Sequence, residues 1–284
     1  MAVEIGSGAW RGTGLRVRPM IAAVFGAALL AGCQTGVSDI EADIDPATGS
    51  EANISSLSAV VAQNAGDASS YNVRGTAFGR SGRYEEALAD FTKAIQLDPN
   101  FYQAYSNRAL VERRLKQDPQ ALADYNRAIQ INPNYAEAYV GRGNLYRSQG
   151  QTDQALADFT RAIELEPTDP KAYLNRGLIY QAQGRQDDAI QDFNSAIANA
   201  PNATEPYLSR GLSYMLTGDF KAALDDFNIV VKRDKQSYEG WTDQGLALEK
   251  LGERAKAFAA FAHAAAINPN YAPARDGMRR TAKQ

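Results

Sequence analysis

Few side chains in this chain of 284 residues are equipped for bond-making chemistry. It holds one cysteine, Cys33, and one histidine, His263. Zinc sites draw on several Cys, His or carboxylate side chains. With no second histidine and no spare cysteine, the sequence gives no reason to expect a metal. His263 stands in the same sequence column as Lys93, Arg127 and Arg161, which places it on a solvated helix face. No glycine-rich phosphate loop occurs at a strand–helix junction. Many of the 33 Asp and Glu residues fall in repeat columns, which helix surface and pairing explain better than acid–base work. The most suggestive charged residues form two columns. Arg74, Arg108, Arg142, Arg176 and Arg210 make one, and Asp90, Asp124, Asp158, Asp192 and Asp226 make the other. A buried arginine needs a partner, so these columns are expected to pair, within or between repeats. Both end in the sixth copy, at Gln244 and Ala260. The residues point to binding, with no catalytic group and no cofactor expected.

The columns exist because the chain repeats itself every 34 residues. Tyr71, Tyr105, Tyr139, Tyr173, Tyr207 and Trp241 share one register. So do Gly75, Ala109, Gly143, Gly177, Gly211 and Gly245, and likewise Phe91, Tyr125, Phe159, Phe193, Phe227 and Phe261. Pro99, Pro133, Pro167, Pro201 and Pro269 close the units, with Lys235 in the fifth place. No insertion interrupts the six copies. Such a period marks a repeat array. In the third unit, Tyr139, Arg142, Gly143 and Tyr146 share one face of a first helix. Gly150 stops that helix. A second helix buries Ala155, Phe159, Ala162 and Ile163, and Pro167 ends it. The Gly143 column is expected to let two helix backbones approach closely. One unit cannot cover its own apolar faces, so the units must stack into a solenoid.

These columns resemble the tetratricopeptide repeat (TPR) family over residues 68–271. The resemblance implies an all-α superhelical solenoid of six 34-residue helix-turn-helix repeats, with short capping helices. It does not by itself fix a function.

Residues 1–32 read as an export signal. Arg11, Arg16 and Arg18 form a positive start, and Met20–Ala31 is an apolar run too short to span a bilayer. A start at Met20 would remove the charged region, so Met1 or a nearby upstream start is expected. Leu30-Ala31-Gly32-Cys33 resembles the lipobox of bacterial lipoproteins. That resemblance implies cleavage before Cys33 and acylation of its thiol and new amino terminus. The alternative is an ordinary secretion signal with an incidental cysteine, which would leave the protein soluble in the periplasm. Gln34 after the cysteine implies, by similarity to enteric lipoproteins, the periplasmic face of the outer membrane. Without residues 1–32 the chain has 27 basic and 32 acidic residues, a net charge of −5. That balance, with export, argues against nucleic acid.

Residues 33–67 hold the anchor cysteine, an acidic tether and a short entry helix. Asp39, Glu41, Asp43, Asp45 and Glu51 carry the tether's charge, uninterrupted by Lys or Arg. As a random coil, twenty residues would span about 25 Å. Ile54, Leu57 and Val61 then fall on one helical face. At the other end, residues 272–284 read as a short basic closing helix. Two repeats depart from the pattern. Lys116 replaces the turn glycine, and Asp118-Pro119 supplies a helix start, with Asp118 as the expected cap. The fifth unit lacks its terminal proline, so its second helix is expected to run on past Arg233.

The TPR resemblance also implies a concave groove, lined by the first helices, where partner peptides bind. Its expected members include Asn72, Arg113, Asn144, Arg147, Leu174, Leu178, Gln181, Leu208, Leu212 and Met215. The early repeats are polar and basic there, while the fourth and fifth are apolar, with Leu216 beside Met215. Exposed apolar rows mark partner surfaces; the alternative is that neighbouring helices cover these leucines. The groove lacks the Lys/Asn pattern of TPR proteins that clamp chaperone tails. The sequence therefore points to a non-enzymatic adaptor that docks periplasmic or envelope proteins. It resembles TPR lipoproteins that support envelope integrity by holding peptidoglycan-processing enzymes or their regulatory proteases. Assembly of pili or secretion systems is the alternative. Related TPR lipoproteins can dimerise, so a homodimer is possible.

Overall fold

The computed structural model describes residues 49–282, and every regular element among them is an α-helix. Cys33, the export signal and most of the acidic tether lie outside the described residues. Helix α1 (Glu51–Gln63) precedes six helix pairs. The pairs are α2 (Ala68–Arg80) with α3 (Tyr84–Leu97), α4 (Tyr102–Arg114) with α5 (Asp118–Ile131), and α6 (Ala136–Ser148) with α7 (Thr152–Leu165). Then come α8 (Pro170–Ala182) with α9 (Gln186–Asn199), α10 (Glu205–Thr217) with α11 (Phe220–Arg233), and α12 (Tyr238–Lys250) with α13 (Arg254–Ile267). Helix α14 (Ala272–Thr281) closes the array.

Each first helix ends where the chain turns into the left-handed region. Gly82, Gly150, Gly184, Gly218 and Gly252 take φ between 72° and 87° there. In the second repeat the turn survives without glycine, because Lys116 itself adopts φ 61°. The amide of Gln117 still closes back on the Glu112 carbonyl at 2.8 Å, as Gln151 does on Tyr146 at 2.9 Å. Asp118 is not the cap: it is already the first helical residue, behind Gln117, with Pro119 next. The fifth unit also differs from expectation. Helix α11 stops at Arg233 despite the missing proline. The carboxylate of Asp234 accepts from the Gln236 amide at 2.8 Å and turns the chain. Asn132 does the same for Asn134 at 3.1 Å beside Pro133, and at Asp234 the polar side chain makes the turn with Lys235 in the proline's place.

The core is a stack of rings, one per repeat. Phe91, Tyr125, Phe159, Phe193, Phe227 and Phe261 are at most 1% exposed. Burying each contributes about 1.5–3 kcal/mol. The glycine column exists for these rings and not for backbone approach. A methyl group on Gly143 would meet Phe159 Cε1 at 2.8 Å, and the other glycines meet their own phenylalanines equally closely. The second repeat solves the same problem differently. It has Ala109 in the glycine column and the larger Tyr125 as its ring. Space is opened on the far side by Gly141, where a methyl group would lie 2.4 Å from Tyr125 Cε1.

The two charged columns pair within each repeat. Each of the five arginines donates through Nε and Nη2 to both oxygens of its aspartate at 2.6–2.9 Å. This is the fork geometry that guanidinium and carboxylate favour. From the second repeat onward, Nη1 also reaches back one repeat. Arg108 and Arg176 donate to Thr92 and Thr160, and Arg142 and Arg210 to Asn126 and Asn194, at 2.5–3.3 Å. In the sixth repeat Gln244 keeps only this backward contact, donating to Asn228 at 2.7 Å. Arg108, Arg142, Arg176 and Arg210 thus each close their own helix pair and fasten it to the pair before, while Arg74 closes the first pair.

Candidate docking groove

Successive first helices touch one another along the array, from α2 to α12, more than successive second helices do. The first helices therefore line the inner side of the curve, and their shared face forms a groove. Polar bridges fix their spacing. Asn107 Nδ2 donates to Asn72 Oδ1 at 3.0 Å. Gln181 Nε2 donates to the Ser209 carbonyl at 2.8 Å and to Ser213 Oγ at 2.9 Å.

Two of the expected groove residues are therefore structural. Leu174 is 2% exposed and packs with Phe193 and Ala196, so neighbouring side chains cover it. Gln181 is 8% exposed and spent on α10. Neither is available to a partner. Leu178, Leu208, Leu212 and Met215 are half-buried, their inner edges packed into the core. The apolar wall that does reach solvent is in the fifth repeat, where Leu216 is 52% exposed beside Met215.

The early part of the groove is polar and cationic. Asn72, Arg113, Asn144 and Arg147 are all half-buried on α2, α4 and α6. Arg113 Nε, Arg147 Nε and Asn144 Oδ1 are shut off from solvent yet have no hydrogen-bond partner among the described residues. The Arg147 guanidinium is held below the usual arginine range, first by burial and then by the charge of Arg113; Glu205 opposes the shift only in part. Just behind this stretch sits Glu112, in the column that elsewhere holds Phe78, Tyr146, Tyr180, Tyr214 and Leu248. Burial pushes its carboxyl up to about 7, and Asp124 adds to the shift while Arg108 opposes it. Sequence reasoning missed Glu112, although a carboxylate in an otherwise apolar and aromatic column was the available signal.

His263 is exposed and lies against Trp241, with ring centroids 4.2 Å apart. No cluster of potential metal ligands and no helix long and apolar enough to cross a membrane occurs among the described residues.

Family models for the tetratricopeptide repeat match residues 68–101, 110–146, 143–184, 170–203 and 208–272. The chain is a tetratricopeptide repeat protein. Solved TPR-like structures share the fold at low identity. The APC/C hetero-tetramer Cut9–Hcn1 is 18% identical over 84% of this chain, with a TM-score of 0.70. This TPR chain spans only 47% of that one. PilF of Pseudomonas aeruginosa is 16% identical, covers 75% of this chain and 97% of its own, and gives a TM-score of 0.69. PilW, described as a widely conserved type IV pilus biogenesis factor, is 21% identical over 74% of this chain and 97% of its own, with a TM-score of 0.66. No curated protein sequence matches the chain. TPR arrays are in general interaction scaffolds.

Proposed function

We propose that this TPR protein is a lipid-anchored adaptor on the periplasmic face of the outer membrane, and that it docks envelope proteins in its groove. The observation that carries the reading is the division of that groove. Its scaffold positions are largely constant, with a buried ring in every repeat and the arginine–aspartate pair in five of six, while the inward face changes character along the array, from cationic at Arg113 and Arg147 in α4 and α6 to apolar at Leu208, Leu212 and Met215 in α10. The anchor rests on Leu30-Ala31-Gly32-Cys33 and its likeness to a lipobox. Among envelope tasks, we favour the holding of peptidoglycan-processing enzymes or their regulators. A second reading, pilus or secretion-system assembly, draws on PilF and PilW, whose lengths are matched almost end to end. At 16% and 21% identity that likeness carries the fold, and the role is left to experiment.

The test is an affinity pull-down from crosslinked envelopes, comparing the wild type with a Met215→Glu/Leu216→Glu variant. Leu216 is exposed and Met215 half-buried, so circular dichroism first checks that the variant keeps its helical fold. Specific periplasmic proteins that copurify with the wild type and vanish with the variant support groove docking and name the process. The same set returning with both variants overturns it. Incorporation of an alkyne-labelled fatty acid by the wild type, lost in Cys33→Ser, tests the anchor separately.

A further inference from the structure

We infer that Arg113 and Arg147, with Asn144 beside them, form an anion site in the groove that binds the carboxylates of an acidic partner segment. The inference rests on the groove being the docking face, and it assigns that face a ligand chemistry.

The scaffold does not need guanidinium groups here. The equivalent place on the other first helices is held by Gly79, Gln181, Met215 and Glu249, a set with nothing in common in size or charge. The contrast with the structural arginines is direct. Arg142, one turn before Arg147 on α6, has both faces of its fork on Asp158. Arg147 and Arg113 each leave Nε buried and unpartnered. A buried guanidinium N–H without an acceptor is costly, and placing two cations near each other adds repulsion. A carboxylate arriving between them would relieve both costs with charge-assisted hydrogen bonds. Asn144, on the same face of α6 as Arg147, can turn its amide so that an N–H donates to the same anion. Glu205 is the acidic group near Arg147, and its effect is smaller than that of burial and Arg113 together.

The wider field points the same way. The whole chain carries a net charge of −3, yet this end of the groove gathers Arg80, Arg113, Arg114 and Arg147. A local cationic cleft on an acidic protein raises the local concentration of anionic ligands and repels cationic ones. The residues differ from the Lys/Asn clamp, so a free chain terminus is not required. Acidic side chains within a segment serve as well.

The test uses the full chain and two fluorescein-labelled peptide libraries read by anisotropy. One has a fixed Asp-Glu-Asp core and the other Asn-Gln-Asn. We expect the acidic library to bind at least about tenfold tighter, with affinity falling as salt rises. Arg113→Gln/Arg147→Gln should abolish the preference while its melting temperature stays level or rises. Arg147→Lys, which keeps the charge, should retain most of it. Equal binding of the two libraries, or a preference that persists in the double glutamine variant, overturns the proposal. A peptide of residues 34–48 that outcompetes the acidic library also overturns it, since the acid would then come from the chain's own tether. In the pull-down, partners lost with Met215→Glu/Leu216→Glu but kept with Arg113→Gln/Arg147→Gln leave groove docking intact and reject the anion site. Partners kept by both variants reject groove docking itself.

Discussion

The Arg142–Asp158 pair shows what a single residue contributes to this fold. Its side chains are 19% and 7% exposed, so neither charge is well solvated. Removing Asp158 strands the guanidinium that also holds Asn126 of the preceding repeat. Asp158→Ala should cost about 3 kcal/mol in urea unfolding. Once Arg142 is gone, the aspartate has nothing to hold. The double variant Arg142→Ala/Asp158→Ala should therefore be more stable than the sum of the singles by about 1.5 kcal/mol or more; additive energies would reject the coupling. This pairing was legible in the sequence, because five copies of both columns ended together in the sixth. Glu112 makes a different demand. Its carboxyl titrates at about 7 in the folded chain, against an ordinary 4.5. The folded protein thus holds a proton that the unfolded chain releases. The stability from this group is complete below about 4.5 and is lost as pH rises through about 7. Glu112→Gln should remove that dependence. The variant should gain about 1–2 kcal/mol on the wild type at pH 8 relative to pH 5, and parallel curves from chemical unfolding at the two values would count against it.

Elements are specified here by local devices that substitute for one another, which is why some boundaries were readable and others were not. The left-handed turn after each first helix was plain wherever glycine stood. At Lys116 the same turn persists in a residue that adopts φ 61° at a cost. Lys116→Gly should raise stability by about 0.5–1 kcal/mol, measured as a higher urea midpoint with unchanged slope. No gain would show that the lysine side chain contributes as much as the strain removes. The end of α11 could not be read, because proline was the visible stop signal and the Asx turn at Asp234 is carried by a residue type common everywhere. The glycine column was noticed, but its partner was mistaken. Spacing along one helix cannot reveal that a ring from the next helix fills the gap. Tyr125 and Gly141 show the same limit, since the larger ring and the missing side chain lie in different repeats. Gly141→Ala should destabilise by about 1–3 kcal/mol through overpacking. An unchanged melting temperature would mean that Tyr125 has room to move.

At the scale of the whole array, each repeat meets only its neighbours, so stability should be lost repeat by repeat rather than all at once. The period made this architecture legible, and with it the placement of the groove. It did not show which inward residues would be exposed: Leu174 and Gln181 sit on the groove face yet are used up in packing and bridging. The far end of the array depends on its cap. Gly277 rests on the ring of Phe261, where a methyl group would come within 2.5 Å. Met278 packs on the cluster of Leu248, Ala257, Ala260 and Phe261. Arg280 donates to both oxygens of Glu249 at 2.9 and 2.7 Å. Repeat six needs this cover more than any other, because it has Gln244 and Ala260 in place of the arginine–aspartate pair. Truncation after Tyr271 should therefore open α12 and α13 first. Hydrogen exchange would show lost protection at Gly245–Lys250 and Ala257–Ala264, with little change in α4 to α7. Uniform loss along the chain would mean that the array unfolds as one cooperative block, and that couplings such as Arg210 to Asn194 extend further than nearest neighbours.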